Sequence, residues 1–133
     1  MITREADYAM RVALFLARAR RQGRPRAACA AVAEAMDVPY RFLRKIVKRM
    51  VAAGLIVSAR GKGGGLRLAR PPQRVSLLDI IEAMGPANVQ LSRCVLRPET
   101  CGRSGYCRVH RALRAVQKGV DQRLAALKLD TLA

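Results

Sequence analysis

The sequence is short of aromatic, acidic and histidine residues, and each shortage excludes something. Of its 133 residues none is tryptophan and 4% are aromatic, while 51% are apolar. A core of this composition must be built from Ala, Leu, Val and Ile, which favours packed helices. With nine acidic residues and one histidine, the sequence shows no paired carboxylates and no Ser/His/Asp arrangement. We therefore do not expect an enzyme.

The chain also lacks a long apolar run. Arg11 interrupts the apolar stretch near the N-terminus, Glu5 and Asp7 precede it, and no small-residue cleavage site follows, so it is not a secretory signal peptide. No stretch reaches the length that a membrane span needs. We expect a cytoplasmic protein with no membrane partner, formed by one compact domain or by a small domain and an appended helix. In that compartment clustered cysteines favour metal or redox chemistry over structural disulfides.

Positive charge is the strongest compositional signal. The sequence has 26 Lys and Arg against 9 Asp and Glu, a net charge of +17. Between Asp37 and Asp79 there are ten Lys or Arg and no acidic residue. Such a balance indicates a polyanionic partner, with nucleic acid first and an anionic membrane surface second. A solvated basic surface without a partner is the alternative that charge alone leaves open.

Helical spacing of apolar residues organises the first part of the chain. It predicts one helix from Thr3, its N-cap, to about Ala19, and a second over about Ala28–Met36, where Cys29 is expected to be buried. A third helix is predicted over 39–53, with Gly54 as its C-cap. Its apolar stripe is predicted to be Phe42, Leu43, Ile46, Val47, Met50 and Val51.

The second and third helices form a helix-turn-helix pattern. The outer face of the third helix is strongly basic, as expected of a helix that enters the major groove of DNA. Its candidate DNA-binding residues are Arg41, Arg44, Lys45, Lys48 and Arg49.

Two short strands, 55–59 and 66–69, are predicted on either side of a glycine-rich hairpin that carries Arg60 and Lys62. A nucleotide phosphate loop is not expected, because no Walker-type Lys-Ser/Thr pair and no helix follow the glycines. A basic two-stranded wing is the better interpretation. Its glycines allow close approach to DNA, and Arg60 would reach the minor groove.

The third group of signals is a cysteine loop. Cys94, Cys101 and Cys107 follow a C-x6-C-x5-C spacing, and His110, the single histidine, comes soon after. Thiolates and imidazole suit zinc or an iron–sulfur cluster and not calcium or magnesium. Three cysteines and a histidine can also form a closed zinc site, so the spacing leaves both metals open.

Two helices flank this loop. Ser76 is expected to cap a short helix over 77–84, whose Leu78, Ile80 and Ile81 would pack under the wing. A long helix from Cys107 has one continuous apolar stripe, Val109, Leu113, Val116, Val120, Leu124 and Leu127. A partner subunit in a two-fold homodimer would cover this stripe. Packing of the helix on its own domain is the alternative.

Taken together, these features resemble the Rrf-two family of winged-helix transcriptional regulators typified by IscR and NsrR. The likeness covers nearly the whole chain, through TREADYAMR, VPYRFLRKIVKRMVAAGLI, ARGKGGGLRLARP, SLLDIIEAMG and the cysteine loop. It implies a mainly α fold with a small β wing: a winged helix-turn-helix domain over 1–74, then 75–133 with a short helix, cysteine loop 94–107 and a long dimerisation helix. The implied function is a homodimeric regulator, with repression expected, that binds a palindromic operator on double-stranded DNA.

The resemblance also implies an iron–sulfur cluster that senses redox, nitric oxide or iron status. Cys94, Cys101 and Cys107 match the family's cluster cysteines. His110 matches the fourth ligand of a [2Fe-2S] site, whereas Asp7, from the partner subunit, matches that of a [4Fe-4S] site. A structural zinc site or a metal-free thiol switch is the alternative for the loop.

Two departures from the family pattern stand out. The first cysteine spacing is six where five is usual, and Arg44 and Lys45 stand where IscR-like proteins carry Glu and Gln. Arg44 would donate to guanine where a glutamate accepts from cytosine, so the operator should differ from the IscR type. Arg60 matches the family's minor-groove arginine. A nucleic-acid-coating protein that relies on charge alone is the competing function, and it would show little preference between sequences.

Overall fold

Helix α1 (Arg4–Arg21) is the element against which much of the chain packs. The structure, a computed structural model, describes residues 2–133. The other helices are α2 (Cys29–Ala35), α3 (Tyr40–Ala52), α4 (Leu77–Ala83), α5 (Arg93–Leu96), α6 (Arg108–Ala126) and α7 (Leu129–Leu132), and the strands are β1 (Ile56–Ala59) and β2 (Gly65–Leu68). The mainly α fold with a two-stranded wing is confirmed.

Local chemistry explains where the helices begin. The Thr3 side chain accepts a hydrogen bond from the backbone N–H of Ala6, so Thr3 is the N-cap of α1 as predicted. Ser76 and Asp79 form a capping box at the start of α4, in which each side chain accepts from the other residue's backbone N–H. Gly54, at φ 68°, ends α3 in a left-handed conformation that glycine adopts without strain.

The core is assembled from small and branched side chains, as the shortage of aromatic residues predicts. α1 contributes five alanines and other apolar residues, and α3 contributes Leu43, Ile46, Val47 and Met50. Two predictions at the core edge are wrong. Val51 is 41% exposed because it lies beyond the buried side of α3, and Cys29 is half-buried because it opens α2 at its surface end.

The wing is an antiparallel hairpin in which Ile56 pairs with Leu68 and Ala59 with Gly65. β1 packs against α3, and β2 packs against α1. α4 packs mainly on α1, α3 and α6 and not on the wing strands as predicted, since β1 and β2 pack against α3 and α1. Ile80 and Ile81 are fully buried in that helical contact, whereas Leu78 is half-buried.

The C-terminal end of the chain returns to the first half of the molecule. The backbone N–H of Leu77 donates to Leu127 O at 3.0 Å, and that of Leu129 donates to Val75 O at 2.9 Å. Leu129 is fully buried, and α7 contacts α1. The long helix α6 is thus anchored at its far end to the segment that precedes α4. No helix within residues 2–133 is long and apolar enough to cross a membrane.

Candidate functional site

The outer face of α3 presents a set of cations with no acidic residue among them. Arg41, Arg44 and Lys48 are exposed, and with Tyr40 and Lys45 they line one shallow surface depression. The Arg41 guanidinium lies 5.4 Å from the centre of the Phe42 ring, which restrains its long side chain. These side chains can reach the edges of bases and phosphates in a groove of duplex DNA.

The other two cations of α3 are held within the chain. Lys45 Nζ lies 2.6 Å from Glu5 Oε1, and Arg49 Nη1 lies 2.8 Å from Glu5 Oε2. Arg49 Nη1 also donates to the carbonyl oxygen of Met84 at 2.8 Å. The hydrogen bond from Lys45, together with the positive charges of Arg49 and Lys45, lowers the pKa of Glu5 below its ordinary value. Arg49 is therefore a link between α3, α1 and the end of α4, a role that helical spacing alone did not reveal.

Arg60 and Lys62 are exposed at the tip of the wing, as predicted. The hairpin that carries them is braced from outside the sheet, because Arg26 Nη1 donates to Gly63 O at 2.5 Å. Ala27 and Leu66 exchange backbone hydrogen bonds of 2.9 and 2.7 Å, which tie the α1–α2 connection to β2. The wing therefore has a supported position relative to α2 and α3.

Two wing glycines are required by close packing of the backbone. A Cβ on Gly64 would lie 2.5 Å from Ala59 O, and a Cβ on Gly65 would lie 2.6 Å from Ala27 O. Both distances are far shorter than a carbon–oxygen contact allows. The glycines thus serve the internal geometry of the hairpin, in addition to any approach to DNA.

The three loop cysteines are free and half-buried, and they lie on three different pieces of local structure. Cys94 is in α5, with its Sγ 3.2 Å from Ser92 Oγ. Cys101 follows a single helical turn at Pro98–Thr100. Cys107 is the N-cap of α6, and its Sγ accepts a hydrogen bond from the His110 backbone N–H at 3.5 Å.

His110 is the buried member of this set. It is 4% exposed, and its Nδ1 atom has no hydrogen-bond partner among the described residues. A buried imidazole nitrogen without a partner is costly, and metal ligation would satisfy it. Three free thiols and one such nitrogen are, by their chemistry, a donor set for zinc or an iron–sulfur cluster.

The structure does not bring the side chains of this donor set together around one point. Over residues 2–133, no three His, Cys, Asp or Glu side chains are grouped closely enough to hold a metal ion. Asp7, the alternative ligand, lies on α1 and pairs with Arg11 at 2.8 Å, with 44% of its side chain exposed. Binding of a metal or cluster would therefore require residues 94–107, which carry the three cysteines and are called the cysteine segment below, to close around it.

Two of the six residues in the predicted stripe on α6 are packed against the core of the chain itself. Val120 and Leu124 pack against the core, whereas Val109 is 64% exposed and Val116 is 56% exposed. The self-covered face contains His110, Gln117 and Leu124, which recur every seven residues. Leu124 belongs to the stripe, whereas His110 and Gln117 lie on its flank. The exposed members of the stripe are Val109 and Val116, in the N-terminal half of the helix next to the cysteines, and Leu127, which is 40% exposed just after α6.

Comparison with known proteins identifies relatives of the whole chain. The model of the Rrf2 family, iron-dependent transcriptional regulators, matches residues 2–133. The chain is 28% identical over 129 residues to the HTH-type transcriptional regulator NsrR of Shouchella clausii, covering 91% of this chain and 83% of that protein.

Two solved structures have the same fold. IscR of T. potens superposes with a TM-score of 0.77 at 22% identity, over 99% of this chain and 85% of that one. The oxidised form of CymR from Staphylococcus aureus superposes with a TM-score of 0.73 at 23% identity, over 100% of this chain and 95% of that one. The predicted winged-helix fold is confirmed.

Proposed function

This chain belongs to the Rrf2 family of iron-dependent transcriptional regulators, and on that premise we propose that it is a dimeric repressor whose operator affinity is controlled by an iron–sulfur cluster. It is a DNA-binding transcriptional regulator and not an enzyme. The observation that carries the cluster proposal is the buried His110 Nδ1 without a hydrogen-bond partner, on the first turn of the helix α6 that the free cysteine Cys107 caps. The cytoplasm, where thiols stay reduced, is the compartment that suits it.

For DNA binding, α3 would lie in the major groove of a palindromic operator. Arg41, Arg44 and Lys48 are the residues free to contact it, and Arg44 is suited to bidentate donation to a guanine. Arg60 and Lys62, at the tip of the wing, would contact the minor groove and its phosphates. Two copies related by a two-fold axis would place their α3 helices about one helical turn of DNA apart.

The dimer is supported by the uncovered part of α6. Val109 and Val116, with half-buried Leu113, form an apolar strip along its N-terminal half. A second copy packed on the same strip would remove it from water and would bring two cysteine segments near the two-fold axis. In that arrangement Asp7 of the partner subunit is a candidate fourth ligand.

Cys94, Cys101 and Cys107 would hold the cluster, with His110 or Asp7 of the partner subunit as the fourth ligand. A cluster in an exposed segment supplies sensitivity to oxygen, nitric oxide and iron supply. Because Cys107 caps α6 and Cys94 lies in α5, holding both cysteines would restrain the segment between these helices. A differential restraint worth a few kcal/mol is enough to change the occupancy of an operator.

Anaerobic purification tests this proposal. The protein should be coloured and should contain iron and acid-labile sulfide, and cluster loss should change its affinity for genomic fragments that it selects. His110→Ala and Asp7→Ala, compared by absorption and electron paramagnetic resonance spectra, would identify the fourth ligand. Colourless protein with one equivalent of zinc would contradict the cluster.

The alternative is a structural zinc site or a metal-free thiol switch, and free cysteines suit the thiol switch. The four cysteines are free and half-buried, so a disulfide-forming oxidant could reach them. This alternative predicts colourless protein whose DNA affinity changes on treatment with hydrogen peroxide and recovers with dithiothreitol.

A further inference from the structure

Gln117 is a buried amide on α6 with an unusual number of bonds to one distant segment. It is 5% exposed, and its Nε2 donates to Val89 O at 3.0 Å and to Asp121 Oδ1 at 2.7 Å. Its Oε1 accepts from the backbone N–H of Leu91 at 2.8 Å. A leucine would fill the same space, but it would leave the Val89 carbonyl and the Leu91 N–H without these partners, and unpaired buried polar groups are costly.

The segment that Gln117 holds leads directly into the cysteines. Val89–Leu91 precedes α5, which carries Cys94, while α6, which carries Gln117, begins immediately after Cys107. Gln117 thus fastens the entry of the cysteine segment to the helix that forms its exit. Any movement of Cys94 relative to Cys107 must strain or break this clamp.

On its other side the same segment is joined to the DNA-binding half. Asn88, which is 7% exposed, donates through Nδ2 to Met84 O at 2.7 Å and to Gly85 O at 2.9 Å. The Met84 carbonyl also accepts from Arg49 of α3. The Met84 carbonyl, at the end of α4, therefore accepts hydrogen bonds both from Arg49 of α3 and from Asn88, the residue before Val89.

We propose that Gln117 is a positioning residue that transmits the position of the cysteine segment to α3 of the same chain, through Val89, Asn88 and the Met84 carbonyl. The inference rests on the proposed function and adds the contacts through which a change at the cysteines would reach α3. Because each member is buried or shares a hydrogen bond with the next, displacement of Val89–Leu91 displaces the Met84 carbonyl and the Arg49 guanidinium that it holds. Neither Gln117 nor Asn88 contacts DNA or metal in this role.

The test compares Gln117→Met with Gln122→Met. Both replace glutamine by methionine on α6, but Gln122 is exposed. The dissociation constant for the tightest duplex that the wild type selects from genomic fragments is measured for cluster-loaded and cluster-free protein. Wild type and Gln122→Met should both show a ratio of about tenfold or more between the two states, within the usual range of coupling. Gln117→Met should bring that ratio to within about twofold of unity.

A second readout uses the cluster-free protein without DNA. Amide hydrogen exchange at Leu91 should be about tenfold faster or more in Gln117→Met than in wild type, because its acceptor is lost. Exchange at Leu16, in the core of α1, should be unchanged and shows that the fold is intact. If Gln117→Met does not fold, Gln117→Ser replaces it, since its short side chain leaves room for water at the Val89 carbonyl and the Leu91 N–H but reaches neither.

The possible outcomes distinguish failure of the Gln117 route from failure of cluster control of DNA binding. If the wild-type ratio is itself near unity, cluster control of DNA binding fails, and the route fails with it. If wild type switches and Gln117→Met switches equally, the route alone is overturned. Faster exchange at Leu91 with an unchanged ratio also overturns it, because Gln117 would then be merely structural.

Discussion

At Glu5 a single carboxylate restrains two cations of the recognition helix. Its contacts with Lys45 and Arg49 join the first turn of α1 to α3 across residues far apart in sequence. The same charge partly neutralises the outer face of α3, which otherwise carries positive charge alone. Glu5 therefore contributes to the orientation of α3 and reduces the number of cations free to meet phosphates.

Glu5→Gln should lower the free energy of unfolding by about 1 kcal/mol at neutral pH, since both ion pairs are partly exposed. The pKa of Glu5 is lower in the folded chain, so the unfolded chain binds more protons in acid. The contribution is complete above the ordinary glutamate pKa of about 4.3 and is lost as the pH falls through the folded value. Urea unfolding at neutral pH and in acid measures this, with exposed Glu34→Gln as the control. If the difference in unfolding free energy between wild type and Glu5→Gln were the same in acid as at neutral pH, the predicted role of the Glu5 charge would be contradicted.

Neighbouring residues of α3 should separate structure from DNA contact. Arg49→Met should lower the free energy of unfolding by about 1–2 kcal/mol, because it loses charge-assisted bonds to Glu5 and to Met84 O. Lys48→Met should leave stability within about 0.5 kcal/mol of wild type. It should instead reduce the slope of log affinity against log salt by about 0.9, the loss of one phosphate contact. Denaturant unfolding and salt titrations of DNA binding test the pair. If Arg49→Met instead lowered the salt slope and left stability unchanged, Arg49 would be a DNA contact.

At the scale of elements, the wing depends on support from outside its own two strands. Arg26 and Ala27 hold it from the α1–α2 connection, and Gly64 allows the turn to fold against Ala59. A two-stranded hairpin alone is only marginally stable in water. Its position beside α3 is therefore a property of the surrounding helices as much as of its sequence.

Gly64→Ala should weaken operator binding by about tenfold or more, equivalent to about 1.4 kcal/mol, because the new Cβ collides with the Ala59 carbonyl. Gly63→Ala is the comparison: its φ of 77° strains an alanine, but nothing lies within 4 Å of the added carbon. That strain costs about 1 kcal/mol in the turn and should affect binding less. Fluorescence anisotropy with a labelled operator duplex measures both. Equal affinities for wild type and Gly64→Ala would show that the wing does not contribute.

At the scale of the whole molecule, α6 has two faces with different tasks. The face of His110, Gln117 and Leu124 lies against the chain itself, whereas Val109 and Val116 on the neighbouring strip are more than half exposed. The residues that lead into the cysteine segment are bonded to Gln117 on the first face. The segment ends at Cys107, two residues before Val109 on the second face. A change at the cysteines can therefore affect both the fold of one chain and the proposed contact between two.

Val116→Asp should dissociate the proposed dimer, because a carboxylate would be buried in an apolar contact without a partner. We expect the dimer dissociation constant to rise by about 100-fold or more, equivalent to about 2.7 kcal/mol. Ala115→Asp introduces the same charge on the exposed side of α6 away from the strip and should leave the dimer intact. Sedimentation velocity over a range of concentrations measures this. A Val116→Asp protein that remains a dimer would place the interface elsewhere.

The sequence by itself determined the class of fold, the family and, to within a few residues, the boundaries of α1 to α4 and the start of α6, but not the short helices α5 and α7. These depend on local chemistry: the Thr3 and Ser76 caps, the 3.6-residue spacing on α3, the glycines after Ala59 and the spacing of cysteines. Such signals act between residues near one another in the chain, and they survive without knowledge of the tertiary packing.

Only the tertiary structure decided which polar residues bond to one another across the chain. Glu5 meets Arg49, and Gln117 meets Val89, over separations that no periodic pattern records. It also decided that the stripe on α6 is shared between self-packing and exposure, since the return of Leu127–Leu129 to Val75–Leu77 fixes the far end of that helix. Burial and long-range hydrogen bonds are properties of two surfaces brought together, so neither surface alone predicts them.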